Sequence, residues 1–327
     1  MTELTGLASA SGHITLVFSV QDGAINPINQ GSRGIGLCID PDVPACNVKV
    51  KATKGSGNVL SNLDNGDNHL QKTVIELLSD LVPELLQYDW QINQQCGLPQ
   101  QQGFGLSAAG SLATAMALQR ALSIEEKLAY SNSYHIAHLV ERKLSGGLGD
   151  IAALWAGGVD LRREPGCPFL GENIGGNGVV DGWYTNLKMI VAWRDRTTRH
   201  TSSYIDNEEW KNRIRISGEE QLEALQSGQW NNSRWAEILS ASTAFAVDSK
   251  LALDAGRNEL LLMGEQVIET TQSDASPHLC MLGESVVILP QSIDKEFQDA
   301  EIAEMITHLN SMGLKSTLVT LSEKSLR

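Results

Sequence analysis

The chain has 327 residues and carries 39 Asp and Glu against 25 Lys and Arg, a formal net charge of -14. At roughly 100–200 residues per domain this length predicts two domains sharing one functional cleft, and 42% apolar residues exclude whole-chain disorder. An acidic excess in both halves, heavier beyond residue 165, leaves no positive field for a phosphate backbone and excludes nucleic acid as the main partner.

No apolar run reaches the roughly 18–20 residues that span a bilayer, so no membrane partner is expected. The opening MTELTGLASASGHITLVFSV has no basic segment before its apolar part, which argues against a secretory leader. Cys38, Cys46, Cys96, Cys167 and Cys280 are scattered and form no C-x-x-C pair. That pattern argues against a zinc site or a disulfide framework and fits a reducing cytosol, with each thiol a small buried residue.

Along the chain, HITLVFSV (13–20) and CNVKVKA (46–52) read as strands. The stretch QDGAINPINQGSRGIG between them is turn-rich and reads as a loop over a site. From His69 the apolar positions recur at helical spacing until Pro83 ends or kinks the helix. GLPQQQGFGLSAAGSLATAMALQRALS is a glycine-rich turn running into an Ala-rich helix. Ser123-Ile124-Glu125-Glu126 has the pattern of a capping box, which starts a helix running to about Leu144. SGGLGD breaks that helix, and IAALWAGG reads as one more short helix. Residues 165–182, rich in Gly and Pro, fit a domain boundary or a mobile loop. WYTNLKMIVAW then alternates into a strand, and two helical stretches follow between about 207 and 256. The chain closes as strand, helix and strand (SVVILP, DKEFQDAEIAEMITHLNSMG, STLVTL), the split β-α-β pattern of ferredoxin-like domains.

Three groups of residues carry candidate chemistry. In GFGLSAAGS (103–111), Gly103 and Gly105 permit a tight turn, and the helix behind them offers unpaired N–H groups and a positive dipole end to an anion. Ser107 and Ser111, one turn apart, add hydroxyls suited to phosphate or Mg²⁺. In and just before AHLVERKLSGGLGD (137–150), His135, His138 and Glu141 fall near one helix face, and the glycine turn brings Asp150 back to the same end. Two carboxylates beside a phosphate-binding helix suit a magnesium ion and a hydroxyl nucleophile. Arg33, Arg162 and Arg163 are candidate forks for a substrate carboxylate or phosphate. His13 fits either a ligand or a satisfied polar residue, and we read it as structural. The basic residues from Arg194 to Arg215 alternate with acids and read as a solvated face.

Taken in order, these segments resemble the GHMP small-molecule kinases. Pro99 and QQQGFGLSAAGS stand where that family has P-x-x-x-G-L-G-S-S-A-A, with Leu106 at the usual first serine and Ser107 at the second. Within the family, GSRGIG, AHLVE and GLGDIAALWAGG followed by RREPGCP resemble the archaeal pantoate kinase branch. The resemblance implies a two-domain α+β fold, with an S5 domain 2-like N-terminal domain (1–170) carrying the glycine loop and a ferredoxin-like C-terminal domain (171–327). It further implies ATP and Mg²⁺ as cofactors, with the nucleotide phosphates on Gly103, Gly105, Ser107 and Ala108. Ser107 and Glu141 would be metal or phosphate ligands, with Ser111 in support, and Asp150 would orient or deprotonate the attacking hydroxyl. Ser32, His138 and Arg162 would hold pantoate, with Arg33 beside them.

The reaction so implied is phosphorylation of the primary hydroxyl of pantoate to 4-phosphopantoate, for coenzyme A synthesis, in a cytoplasmic protein that is often a homodimer in this family. The alternatives are a mevalonate- or homoserine-type kinase and a catalytically silent ligand-binding regulator on the same scaffold. One departure stands out. The family's third glycine-rich motif near the C-terminus is missing, and ASPHLCMLGESVVIL occupies that region.

Overall fold

The computed structural model describes residues 4–62, 68–169, 171, 173–195 and 207–327; Arg196 and Arg199 of the basic stretch lie outside them. Two sheets organise the molecule. The smaller has the order β1 (Leu4–Ala10), β4 (Cys46–Lys54), β6 (Tyr88–Cys96) and β5 (Val59–Ser61). On β4 burial alternates along the strand, turning Cys46, Val48, Val50 and Ala52 inward, as expected when one sheet face meets a core. Helices α1 (His69–Leu78), α2 (Leu106–Ala121) and α3 (Glu126–Lys143) share that core. The α2 helix is buried almost all round, which its run of small residues permits: Ala and Gly let neighbouring backbones close in on every side.

The larger sheet runs β10 (Ala275–Leu279), β11 (Ser285–Pro290), β9 (Lys188–Trp193), β12 (Lys315–Leu321), β3 (Gly31–Asp40), β7 (Val159–Glu164) and β8 (Val179–Trp183), with β2 (Gly12–Gln21) paired to β3. Its second core carries α5 (Glu208–Glu223), α6 (Trp235–Asp248), α7 (Ala255–Thr271) and α8 (Asp299–Ser311). The part β9, helices, β10, β11, α8, β12 is a β-α-β-β-α-β unit in which β11 and β12 flank β9 antiparallel to it, the ferredoxin-like arrangement. The architecture is α+β, as the resemblance implied. The sheet continues across the two parts of the chain, because β12 pairs with β3 through Thr320–Asp40 and Leu321–Ile39.

The structure corrects several local readings. GSRGIG is not a loop but part of β3. Its glycines make room for side chains instead of turning the chain: a Cβ on Gly34 would sit 2.4 Å from Arg162 Nη2, and one on Gly36 would sit 2.1 Å from His13 Nε2. The Ser123 capping box does not form. Ser123 has φ +58°, and the Glu125 side chain caps α3 by accepting from the N–H groups of Lys127 and Leu128. Strands β1 and β6 and helix α7 were not legible as such, so three helices rather than two lie between residues 207 and 271. The glycine-rich 171–182 stretch is anchored at several points: Gly175 N–H donates to His135 Nδ1 at 3.0 Å, and Asn177 N–H donates to Asn29 Oδ1 at 3.0 Å.

Candidate active site

The glycine loop enters α2 through Gly103 (φ +81°) and Gly105 (φ +62°), conformations that cost a side-chain-bearing residue about 1–2 kcal/mol. Gly105 is the N-cap of α2, and no side chain caps the helix. The first-turn N–H groups therefore remain available to an anion, with the helix dipole behind them. The loop is braced from both sides. Phe104 O accepts from His13 N–H at 2.9 Å, and Ser285 Oγ donates to Gln102 O. The segment ASPHLCMLGESVVIL forms the β10–β11 hairpin, with Cys280 to Glu284 in its turn. Arg257 holds this turn by donating to Leu282 O at 2.9 Å and Gly283 O at 3.1 Å, and Met281 and Leu282 reach the cavity in front of the loop.

That cavity has a volume of about 580 Å³ and is lined by eight of the candidate residues weighed from the sequence: His13, Ser32, Gly103, Gly105, Ser107, Glu141, Asp150 and Arg162. Five others stand behind or beside the lining. Ala108 is buried in the first turn of α2. Ser111 is buried one turn further and donates to Ser107 O at 2.8 Å. His138 is buried, with Nε2 3.3 Å from Pro27 O, so it supports the segment leading into β3. Arg33 is turned toward α5, where its guanidinium pairs with Glu219. Arg163 pairs with Asp181 at 2.5 Å.

Two carboxylates face the cavity in contrasting surroundings. Ser107 Oγ donates to Glu141 Oε1 at 2.6 Å, and Gly147 N–H donates to Oε2. Burial pushes the Glu141 carboxyl up to about 7, against the opposing pull of the Ser107 hydrogen bond. Asp150 begins α4 (Asp150–Ala156). Its Oδ1 lies 2.6 Å from His13 Nδ1. Burial would raise its pKa, but the hydrogen bond and charge of His13, helped by Arg162 and Arg142, bring it below the ordinary aspartate value. The His138 ring is kept neutral, its pKa lowered to about 4 chiefly by burial.

The sequence reading took His13, the centre of this network, as structural and did not name Asp160. His13 bridges Asp150 and Asp160, with Nε2 2.8 Å from Asp160 Oδ2, and Asp160 Oδ1 lies 3.1 Å from Arg162 Nε. All three of His13, Asp160 and Arg162 are buried. The available signals were a histidine directly after a glycine at a strand start and an Asp two places before Arg162 on another strand. Neither says that the two strands meet on β3. Among the described residues no group of three or more His, Cys, Asp or Glu is arranged to hold a metal ion, and no helix is long and apolar enough to cross a membrane. The five cysteines are unpaired, four of them buried.

A glycine loop opening onto a buried helix thus shares one cavity with a serine, a glutamate and an aspartate. Residues 68–158 match the family of GHMP kinases N terminal domains. Among curated relatives, it is 29% identical over 74% of its length to pantoate kinase of Methanocaldococcus jannaschii, covering 80% of that protein. It is 28% identical over 65% of its length to pantoate kinase of Thermococcus kodakarensis, covering 67% of it. A solved phosphotransferase related to the CoA biosynthesis pathway shares the fold over 99% of this chain and 98% of its own, with a TM-score of 0.76 at 21% identity. A mevalonate kinase structure does so over 99% of this chain and all of its own, with a TM-score of 0.60 at 14% identity.

Proposed function

We propose that the protein is a pantoate kinase, transferring the γ-phosphoryl group of ATP to the primary hydroxyl of pantoate to give 4-phosphopantoate and ADP, a step toward coenzyme A. One observation carries the reading: around a single cavity stand an uncapped helix N-terminus, an aspartate whose Oδ1 is held by His13 and whose Oδ2 meets no partner among the described residues, and a buried guanidinium beside a serine. The first suits phosphates, the second an attacking hydroxyl, and the third the carboxylate of a small hydroxy acid. The relatives named pantoate kinase support it independently.

In this reading the N–H groups at 103–108 hold the ATP phosphates, and Ser111 stiffens the turn through Ser107 O. Arg162, with Ser32 Oγ 3.5 Å from its Nη1, binds the pantoate carboxylate, while His138 shapes the pocket from behind through Pro27. The hydroxyl hydrogen-bonds to Asp150 Oδ2. The hydroxyl oxygen attacks the γ-phosphorus in line, the bond to the β–γ bridging oxygen breaks, and the hydroxyl proton leaves through Asp150. Positioning and charge stabilisation supply most of such a rate enhancement.

Ser107 and Glu141 fit Mg²⁺: a hydroxyl and a carboxylate oxygen 2.6 Å apart are hard oxygen ligands. Magnesium in kinases commonly takes only one or two carboxylates and completes its shell with phosphates and water, so a cluster of three acidic ligands is not required. When bound, the ion neutralises charge on the phosphates. The division into domains 1–170 and 171–327, a cytoplasmic location and a homodimer belong to the same proposal. The test is ADP release with pantoate, mevalonate and homoserine offered in parallel, with and without Mg²⁺. Pantoate is expected to give the highest kcat/KM. Preference for either other alcohol would reassign the acceptor, and no turnover with any would leave a silent ligand-binding protein.

A further inference from the structure

Both ring nitrogens of His13 point at carboxylate oxygens, Nδ1 at Asp150 (2.6 Å) and Nε2 at Asp160 (2.8 Å). Ionised carboxylates only accept hydrogen bonds, so satisfying both contacts requires a proton on each nitrogen. The groups facing the ring are few. Asp150 comes from α4, Asp160 and the Arg162 bound to it come from β7, Thr15 Oγ1 stands 3.5 Å from Nδ1 on the same strand, and the Cys38 thiol lies on the paired strand β3. Two anions, one guanidinium and one doubly protonated ring balance in charge. The backbone of the same residue holds the glycine loop through the bond from His13 N–H to Phe104 O. One residue thus touches the loop proposed to carry the donor phosphates and the carboxylate proposed to receive the acceptor hydroxyl.

We propose that His13 is a positioning residue for phosphoryl transfer: spanning the buried Asp160 and the cavity-facing Asp150, it fixes Asp150 at a set distance from the glycine loop and leaves only Oδ2 free for the acceptor hydroxyl. The inference rests on the kinase reading, with Asp150 as the residue that meets the hydroxyl. No partner for Oδ2 is found among the described residues, whereas Oδ1 is fully engaged. Burial disfavours a charged ring, but Asp160 and Asp150 outweigh it and the His13 pKa is raised, in agreement with the geometry. Asp160 acts one step back: its Oδ1 meets Arg162, so the link from Arg162 through Asp160 and His13 to Asp150 couples the two ends of the proposed acceptor site.

Three measurements on the full chain test this. In the free wild-type protein, ¹⁵N NMR of labelled histidine is expected to show both His13 nitrogens protonated at pH 7.5; a single neutral tautomer overturns the proposal. His13→Asn can reach only one of the two carboxylates, and kcat is expected to fall about 10²-fold, the scale of a misplaced catalytic group, with KM for ATP within about threefold of wild type. A kcat within about threefold of wild type overturns it. Asp160→Asn keeps the shape but removes the remote anion, so His13 gives up a proton and Asp150 becomes harder to ionise. The acid limb of kcat is expected to move up by about one pH unit or more, which a purely structural role would not produce; an unmoved limb overturns the proposal even if His13→Asn fails to fold. Wild-type protein inactive on every acceptor would refute the kinase reading alone, and the NMR arm still decides the protonation of His13.

Discussion

Glu141, near the end of α3, and Asp150, at the start of α4, face the same cavity, yet their surroundings drive their charge in opposite directions. Glu141 meets neutral donors, the Ser107 hydroxyl and the Gly147 N–H, and among the described residues no cation pairs with its oxygens; burial holds its carboxyl near 7. Asp150 is bonded to a histidine that is itself pinned by a second aspartate, with Arg162 beyond, and its carboxyl is lowered. A carboxylate already matched by a cation is ready to take a hydrogen bond from a neutral hydroxyl. One left unmatched gains most from a cation that arrives with the substrate. In the proposed reaction the contrast suits Asp150 to the acceptor alcohol and Glu141 to the metal–phosphate end, and it can be broken at either.

The largest effect is expected at Asp150. Asp150→Asn keeps the volume but turns an acceptor into a partial donor facing His13, so kcat should fall by about 10³-fold, within the span usual for losing a positioned acid–base group. Steady-state kinetics with ATP held saturating is the check. A kcat close to wild type would strip Asp150 of its role and leave the contrast without meaning.

Glu141→Gln should separate activity from stability. Its folded value, about 7, lies above the 4.5 of an unperturbed glutamate. A raised value means that the stabilising contribution is complete below about 4.5 and is lost as pH rises through about 7, where burying the ionised form becomes costly. At pH 8 the wild type bears that cost, at most about 3 kcal/mol from a shift of this size. The neutral Gln variant should therefore melt higher than wild type at pH 8 and gain nothing at pH 5, while kcat falls about 10²-fold. Equal melting temperatures at both pH values would show that Glu141 is not strained in the free protein.

Most of this cavity was legible in the sequence where the relation between residues is local. The loop at 103–107 and the helix behind it are contiguous, and Glu141 and Asp150 are separated by a single glycine turn. The terminal β11–α8–β12 unit showed through its change of hydrophobic period. What could not be read is pairing at long range. His13 and Asp160 are 147 positions apart and meet only because β2 and β7 both flank β3. The glycines of GSRGIG looked like turn residues because their purpose, space for an imidazole and a guanidinium from those two flanking strands, exists only once the sheet has formed. Ser123 failed as a cap for a related reason: Glu125 lies closer to the free N–H groups of α3 and has two oxygens to offer them.

The smallest effect is expected at Arg33, and it marks how far the acceptor environment extends. Arg33 sits on β3 one place after Ser32, close enough in sequence to suggest a shared role. Adjacent residues on a strand point to opposite faces, however, and while Ser32 lines the cavity, the Arg33 guanidinium pairs with Glu219 on α5. Both partners of that pair are partly exposed, at 24% and 34% of their side-chain surface, and such pairs contribute roughly 0–1 kcal/mol. Arg33→Ala should therefore lower stability by less than about 1 kcal/mol and leave kcat and KM for pantoate within about threefold of wild type. A rise of tenfold or more in KM for pantoate, with ATP unaffected, would mean that Arg33 leaves Glu219 when substrate enters. The cation set serving the acceptor would then extend beyond His13 and Arg162 to the helix of the ferredoxin-like half that Glu219 occupies.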